Sequence, residues 1–179
     1  MDKQRAKDII ACRCAQELKD GYVVNLGIGI PTQCARYFPE GVDITLHAEL
    51  GLIGQGPAPT PEPADPLHVV AASGNPATII PGGAMDLVNG SKTFILAMIH
   101  TQGDKPKIVE KCTLPLTGYK VVDMIVTELC VLKVTPEGLE LAEYNPELGD
   151  QDTAVRIIQE KTAAKLHISP DLKPMRLPD

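Results

Sequence analysis

Residues 46–54 read LHAELGLIG, an apolar alternating run that delivers a carboxylate, Glu49, just before Gly51 and Gly54. A free glutamate titrates near pH ~4.3, so Glu49 is ionised at neutral pH and is a weak nucleophile. Held in attack geometry inside a partly dry pocket, such a carboxylate can still attack a thioester carbonyl. The tetrahedral oxyanion then needs fixed donors, and backbone N–H groups of glycine turns can supply them. Taken alone, Glu49 reads more simply as a surface glutamate in a loop.

Two glycine stretches offer such donors. In NLGIGIP (25–31), Gly27 and Gly29 lack a β-carbon, so their backbone can approach a ligand closely. The helix that should follow favours an anion at its N-terminus. The third glycine of a dinucleotide fingerprint is missing, because Gln33 and Cys34 stand where it would be needed. A tight strand-to-helix turn without a ligand accounts for this stretch equally well. In IIPGGAMDLV (79–88), Gly82 and Gly83 precede an expected helix start and form a second candidate donor site. His47 and His100 each end an apolar run, but HAE places only two possible ligands together, too few for a metal. Both histidines read as structural.

The elements that must position these residues follow from periodicity. Ala6, Ile9, Ile10, Cys14 and Leu18 lie on one helical stripe, and Gly21 suits the left-handed helix end. Tyr22–Leu26 reads as a strand, Pro31 to about Phe38 as a helix, and Val42–His47 as a second strand. Glu49 then lies just past a strand's C-terminal end, where ligands collect in open α/β sheets. The five prolines of 57–66 exclude helix and central strand. HVVAAS and ATIIPGG are strand-like, and a helical turn or two is expected over Ala84–Asn89. TFILAMIH (93–100) has the pattern of a strand covered on both faces. Thr135–Gly138 should join Cys130–Val134 to Leu139–Glu143 as a hairpin. Asp152 or Thr153 should cap a last helix running to about Ala164. Alternating strands and helices imply an α/β sheet with a parallel portion, in a single domain over 1–179.

Composition narrows the partners. A net charge of -6 and 3% aromatic residues without Trp argue against nucleic acid, which calls for a basic face or stacking platforms. No apolar run approaches the roughly 20 residues of a membrane span. The charged start MDKQRAKDIIACRCAQ is not a signal peptide. Five cysteines without a CxxC pair fit reduced thiols, and the expected location is cytoplasmic.

Taken together, VNLGIGIPT, LHAELGLIGQGP, IIPGGAMDLV, KIVEKCTLPLTG and VTELCVLKVTPEGLEL resemble the beta subunit of the family I CoA-transferases, in order from about Lys3 to His167. These are the acetate, acetoacetate, butyrate and 3-oxoacid enzymes. The resemblance implies an open, mostly parallel α/β sheet flanked by helices, of the NagB-RpiA-like kind. It implies that Glu49 is the nucleophile, forming first an acyl-glutamyl anhydride and then a glutamyl-CoA thioester. Asn25, Gly27, Gly29, Gly51, Gly82 and Gly83 would line the oxyanion and CoA site. Coenzyme A would be substrate and covalent intermediate, with no tightly bound cofactor and no metal. The substrates would be a short-chain or 3-oxo acyl-CoA and a carboxylic acid. The partner would be the CoA-transferase alpha subunit, commonly in a heterotetramer.

The chain departs from the family pattern at two places. Ala48 and Leu50 replace a Ser and an Asn beside the glutamate. IPGGAMDL (80–87) also fuses two blocks that relatives keep several tens of residues apart, so one strand-helix unit should be lacking. These departures define the alternative reading, a catalytically impaired paralogue that binds the alpha subunit or CoA as a structural or regulatory partner.

Overall fold

The computed structural model describes residues 1–47, 50–53, 78–84, 90–113 and 118–178, and for 50–53 and 78–84 it describes the backbone. The Pro-rich stretch 57–66, HVVAAS and residues 85–89 lie outside the described residues.

The first helix, α1 (Lys3–Ala15), starts where Asp2 accepts the N–H groups of Gln4 and Arg5. These are two of the donors that a helix start otherwise leaves open. Ala6, Ile9, Ile10 and Cys14 are buried, as their spacing predicts. Gly21 then turns the chain at φ +75°. The strand β1 (Val23–Asn25) follows, and β2 (Thr45–His47) runs parallel beside it. Between them, Pro31–Tyr37 is a 3-10 helix rather than an α-helix. Pro39 explains its shortness: the residue before a proline is excluded from helical backbone, and Phe38 sits at φ -58°, ψ 136°. A segment bounded by two prolines has room for little more than two tight turns.

The strands β3 (Leu50–Ile53) and β4 (Thr78–Ala84) complete a four-stranded sheet in the order β1-β2-β3-β4. Its later pairings, β2 with β3 and β3 with β4, are antiparallel. Next come β5 (Ile95–Ala97) and a two-stranded ribbon of β6 (Thr101–Gln102) and β7 (Lys105–Pro106). A second sheet has the order β11-β10-β9-β8-β5, where β8 is Met124–Val126, β9 Cys130–Thr135, β10 Gly138–Tyr144 and β11 Leu166–Pro174. Pairs β5/β8 and β10/β11 are parallel, and β8/β9 and β9/β10 antiparallel. The class is α/β as expected. Within it the described sheets are mixed in direction, with parallel pairs at β1/β2, β5/β8 and β10/β11.

The second sheet separates two cores by strand alternation. Ile95, Ala97, Met124, Val126 and Val131 pack with Ile9, Ile10 and Cys14 of α1. Leu96, Ile125, Cys130, Leu132 and Leu141 face the other way, toward Ile158 of the last helix, α2 (Gln151–Glu160). The apolar run at 93–100 is thus covered on both faces. The helix cap is Asp150, which accepts the Thr153 N–H, in place of the expected Asp152 or Thr153. The helix also stops at Glu160, short of Ala164. The expected hairpin is present: Thr135 pairs with Gly138, whose φ of +127° needs a glycine.

A buried ion pair locks α1 onto this sheet. Arg13 Nε and Nη2 donate to Glu143 at 2.6 and 2.9 Å. Its Nη1 lies 2.6 Å from Glu17 but without hydrogen-bond direction, so that contact is ionic only. Among the described residues, no helix is long and apolar enough to cross a membrane.

Candidate active site

β1 and β2 end at the same level. Their parallel register pairs Val23 with Thr45, Val24 with Leu46 and Asn25 with His47. The first glycine turn and the segment leading to Glu49 therefore leave the sheet side by side, at the carboxyl ends of two parallel strands. The Asn25 side chain bridges them, with Nδ2 donating to the His47 carbonyl at 2.9 Å.

The two glycines of that turn differ. Gly29 sits at φ +109°, which L side chains rarely adopt, and its carbonyl accepts the Thr32 hydroxyl at 2.8 Å. Gly27 has no such backbone requirement. A β-carbon there would lie 3.9 Å from Pro31 Cγ, an ordinary contact. Ile28, between them, is 84% exposed, and Tyr22 and Val23 at the start of β1 are exposed as well.

The second glycine block arrives from β4. Leu50 pairs with Ala84 and Leu52 with Ile79. Between these pairs β3 carries only Gly51, whereas β4 carries Ile80, Pro81, Gly82 and Gly83. A bulge of this kind takes backbone groups off the regular ladder. Pro81 can donate nothing to it in any case. Gly82 and Gly83 thus lie within a strand, and the helix expected after them falls on residues 85–89, outside the described residues. On its other side, Ile53 of β3 pairs with His47.

Glu49 and Ala48 lie outside the described residues. Their described neighbours are His47, which pairs with Asn25 and Ile53, and Leu50, which pairs with Ala84. The backbone pairings therefore set Asn25, which leads into the first glycine block, beside His47, and Ala84, which follows the second, beside Leu50.

His100 belongs elsewhere. It is fully buried, with Nδ1 3.0 Å from Thr127 Oγ1 and Nε2 3.0 Å from Thr162 Oγ1. The Thr162 hydroxyl donates to the Ile158 carbonyl at 2.7 Å, so it must accept from Nε2–H, and Nδ1 accepts from Thr127. Burial pushes the His100 pKa down to about 4, with the charges of Lys161 and Lys107 adding to the effect. The backbone N–H of His100 donates to the Glu128 carboxylate at 2.9 Å, and Asn145 Nδ2 donates to the Glu128 carbonyl at 2.8 Å. This network ties together the segments that follow β5, β8 and α2, and it is structural. Sequence reading misses it. Its one signal is the polar pair Thr127-Glu128 directly after the apolar run Met124–Val126.

The comparisons with known proteins agree with the blocks. The Coenzyme A transferase family model matches residues 73–148. The beta subunit of the acetate CoA-transferase of Escherichia coli (strain K12) is 34% identical over 220 aligned positions, covering 96% of this chain and 98% of that one. The corresponding subunit of the 3-oxoadipate CoA-transferase of Acinetobacter baylyi is 36% identical, covering 76% and 86%. The first alignment spans 220 positions and this chain has 179 residues, so at least the difference, 41 positions, has no counterpart here. A strand and a helix fit in a gap of that size. Among solved structures, an acyl-CoA transferase from E. coli O157:H7 in a thioester complex with CoA superposes at TM-score 0.59, with 22% identity over 98% of this chain and 44% of that one. The decarboxylase AibA/AibB superposes at 0.58, with 17% identity over 97% and 89%. The fold thus hosts more than one chemistry, and it is the sequence relationship across nearly the whole length that assigns this chain to the coenzyme A transferase family, among its beta-subunit chains.

Proposed function

We propose that this chain is the beta-subunit half of a two-subunit CoA-transferase, with Glu49 as the nucleophile. The observation that carries the reading is the pairing of Asn25 with His47 and of Leu50 with Ala84. Chain connectivity keeps residue 49 one step, about 3.8 Å between Cα atoms, from Leu50. Two glycine blocks with backbone N–H groups are therefore supplied to one carboxylate.

In this mechanism a Glu49 oxygen attacks the thioester carbonyl of an acyl-CoA. The C–S bond breaks and CoA leaves as a thiolate, giving an acyl-glutamyl anhydride. The thiolate then attacks the glutamyl carbonyl, releasing the first acid as its carboxylate and leaving a glutamyl-CoA thioester. An incoming carboxylate reverses the two steps and departs as the new CoA ester. Each addition places negative charge on a carbonyl oxygen, which the N–H groups of Gly27, Gly29, Gly82 and Gly83 are suited to receive. Gly51, opposite the second block, keeps side-chain bulk off the bulge. No net proton transfer or redox step is required, so no cofactor beyond CoA enters the scheme.

The conformational contrast between the glycines supports a ligand role for Gly27. Gly29 is required by its φ, but Gly27 is not required by backbone or packing. A glycine the fold does not need is suited to admitting a ligand. Ile28 in the turn and Tyr22 and Val23 at the start of β1 are exposed apolar side chains of the kind that a second chain covers; we assign that cover to the alpha subunit. The acids are short-chain or 3-oxo acids, the classes in the names of the related proteins.

The test is reconstitution with a cognate alpha subunit, followed by measurement of CoA transfer between an acyl-CoA and a second acid. Transfer by the wild-type pair and its loss in Glu49→Ala support the reading. Unchanged transfer in Glu49→Ala refutes the nucleophile. A wild-type pair that assembles without transfer favours a silent binding partner.

A further inference from the structure

The one polar side-chain contact described between the two strands that lead into the site is the Asn25–His47 bridge, and it has a consequence for Glu49. We propose that Asn25 is a positioning residue: its amide holds the peptide between His47 and Ala48 and thereby aims the Glu49 carboxylate, without itself touching substrate. This rests on the reading of Glu49 as nucleophile.

Three observations lead there. The β1/β2 ladder is only three pairs long, and Asn25/His47 is its last pair. A ladder that short frays at its end unless something more than backbone pairing holds it. The Asn25 amide supplies that hold, with Nδ2 2.9 Å from the His47 oxygen. The carbonyl gripped is the one that matters. Its oxygen lies in the same rigid plane as the nitrogen of Ala48, so fixing one fixes the other. Glu49 is the next residue along.

The residue type also points this way. Asparagine is disfavoured in strands, and Asn25 is exposed, so neither sheet propensity nor core packing asks for it there. An asparagine at a strand end whose amide reaches across to the neighbouring strand is explained by the bond it makes. A carboxylate attacking a carbonyl is sensitive to aim, because reactivity depends on a near-attack arrangement. A hydrogen bond two residues upstream of the nucleophile is therefore worth more in rate than in stability.

The experiment compares Asn25→Asp, Asn25→Ala and Asn25→Gln with wild type, each reconstituted with the alpha subunit. Asn25→Asp keeps the shape but sets an acceptor against the His47 carbonyl; Asn25→Gln restores a donor on a longer arm. The expected result is about a tenfold or greater fall in kcat for Asp and Ala. KM for acyl-CoA should stay within about twofold, and Gln should recover part of the rate. A second measurement, amide hydrogen exchange of a peptide spanning 46–53, should quicken in Ala and Asp while the α2 peptide is unchanged.

A raised KM with kcat retained would overturn the proposal, since it marks a direct ligand contact. Unchanged kcat in all three variants, or rates that track a lowered unfolding midpoint and show no local change in exchange, would overturn it too. Failure of the underlying reading looks different: a wild-type pair that forms no covalent adduct at Glu49 leaves nothing to aim. A wild-type adduct whose rate of formation ignores Asn25 sinks this inference alone.

Discussion

Leu50 and Ala84 are paired across β3 and β4, although 33 residues separate them in sequence. That pairing joins the segment after Glu49 to the end of the second glycine block. Asn25 and His47 do the same for the first block on the other flank. Two short ladders thus gather what the sequence scatters from residue 25 to residue 84.

The glycines of the first turn should separate stability from activity. Gly29→Ala forces an L side chain to φ +109°, and we expect a loss of about 1–2 kcal/mol in urea unfolding. Gly27→Ala meets only an ordinary contact and should unfold within about 0.5 kcal/mol of wild type. Its transferase kcat/KM should nevertheless fall by about tenfold or more, because the new methyl intrudes on the acyl site. Equal activity of Gly27→Ala and wild type would show that the turn has no ligand to admit.

Removing one partner of the Arg13–Glu143 pair should unfold the chain far more readily than removing both. Arg13→Met leaves Glu143 buried with, among the described residues, only the longer 3.7 Å approach of Lys173, and should cost about 3–5 kcal/mol. The double variant Arg13→Met/Glu143→Leu should regain most of that loss in the same urea titration.

His100 makes stability depend on pH in a defined window. Its folded pKa is about 4, below the ordinary value of 6.5. Between those values the unfolded chain binds a proton that the folded chain refuses, so stability falls as pH is lowered from 6.5 to 4 and this contribution is level below 4. The whole span amounts to ~3 kcal/mol. In His100→Gln, which cannot titrate, unfolding free energies measured from about pH 4 to 7 should lose that component of the slope.

Much of this was legible because local rules and global contacts agree. The stripe Ala6–Ile9–Ile10–Cys14 is buried as its spacing demands and the Thr135–Gly138 hairpin forms, but α1 ends at Ala15, short of Leu18 and of the helix end expected at Gly21, whose positive φ serves a later turn. The described backbone pairs Asn25 with His47 and Leu50 with Ala84, residues of the three blocks read at 25–31, 46–54 and 79–88. What escaped depends on partners distant in sequence. Nothing in the sequence near His100 announces Thr127 or Thr162, and nothing near Arg13 announces Glu143, 130 residues away. Cap choice at α2 fell to Asp150 because its carboxylate reaches Thr153 N–H from outside the helix, a geometry that three neighbouring candidates made ambiguous. Gly82 and Gly83 lie in a bulged strand because Leu50 and Leu52 pair with the residues at its two ends, a contact that paired glycines before an apolar run do not announce.

The central claim is a covalent one, and mass spectrometry tests it most directly. The reconstituted pair is incubated with acyl-CoA, reduced with borohydride, digested, and the peptide containing Glu49 is sequenced by fragmentation. A Glu49 that carries CoA is converted to the alcohol that reduction of a thioester leaves, and adding a free acid before borohydride diminishes that product. An unmodified Glu49 in a pair that is turning over, or modification at a different carboxylate, contradicts the claim.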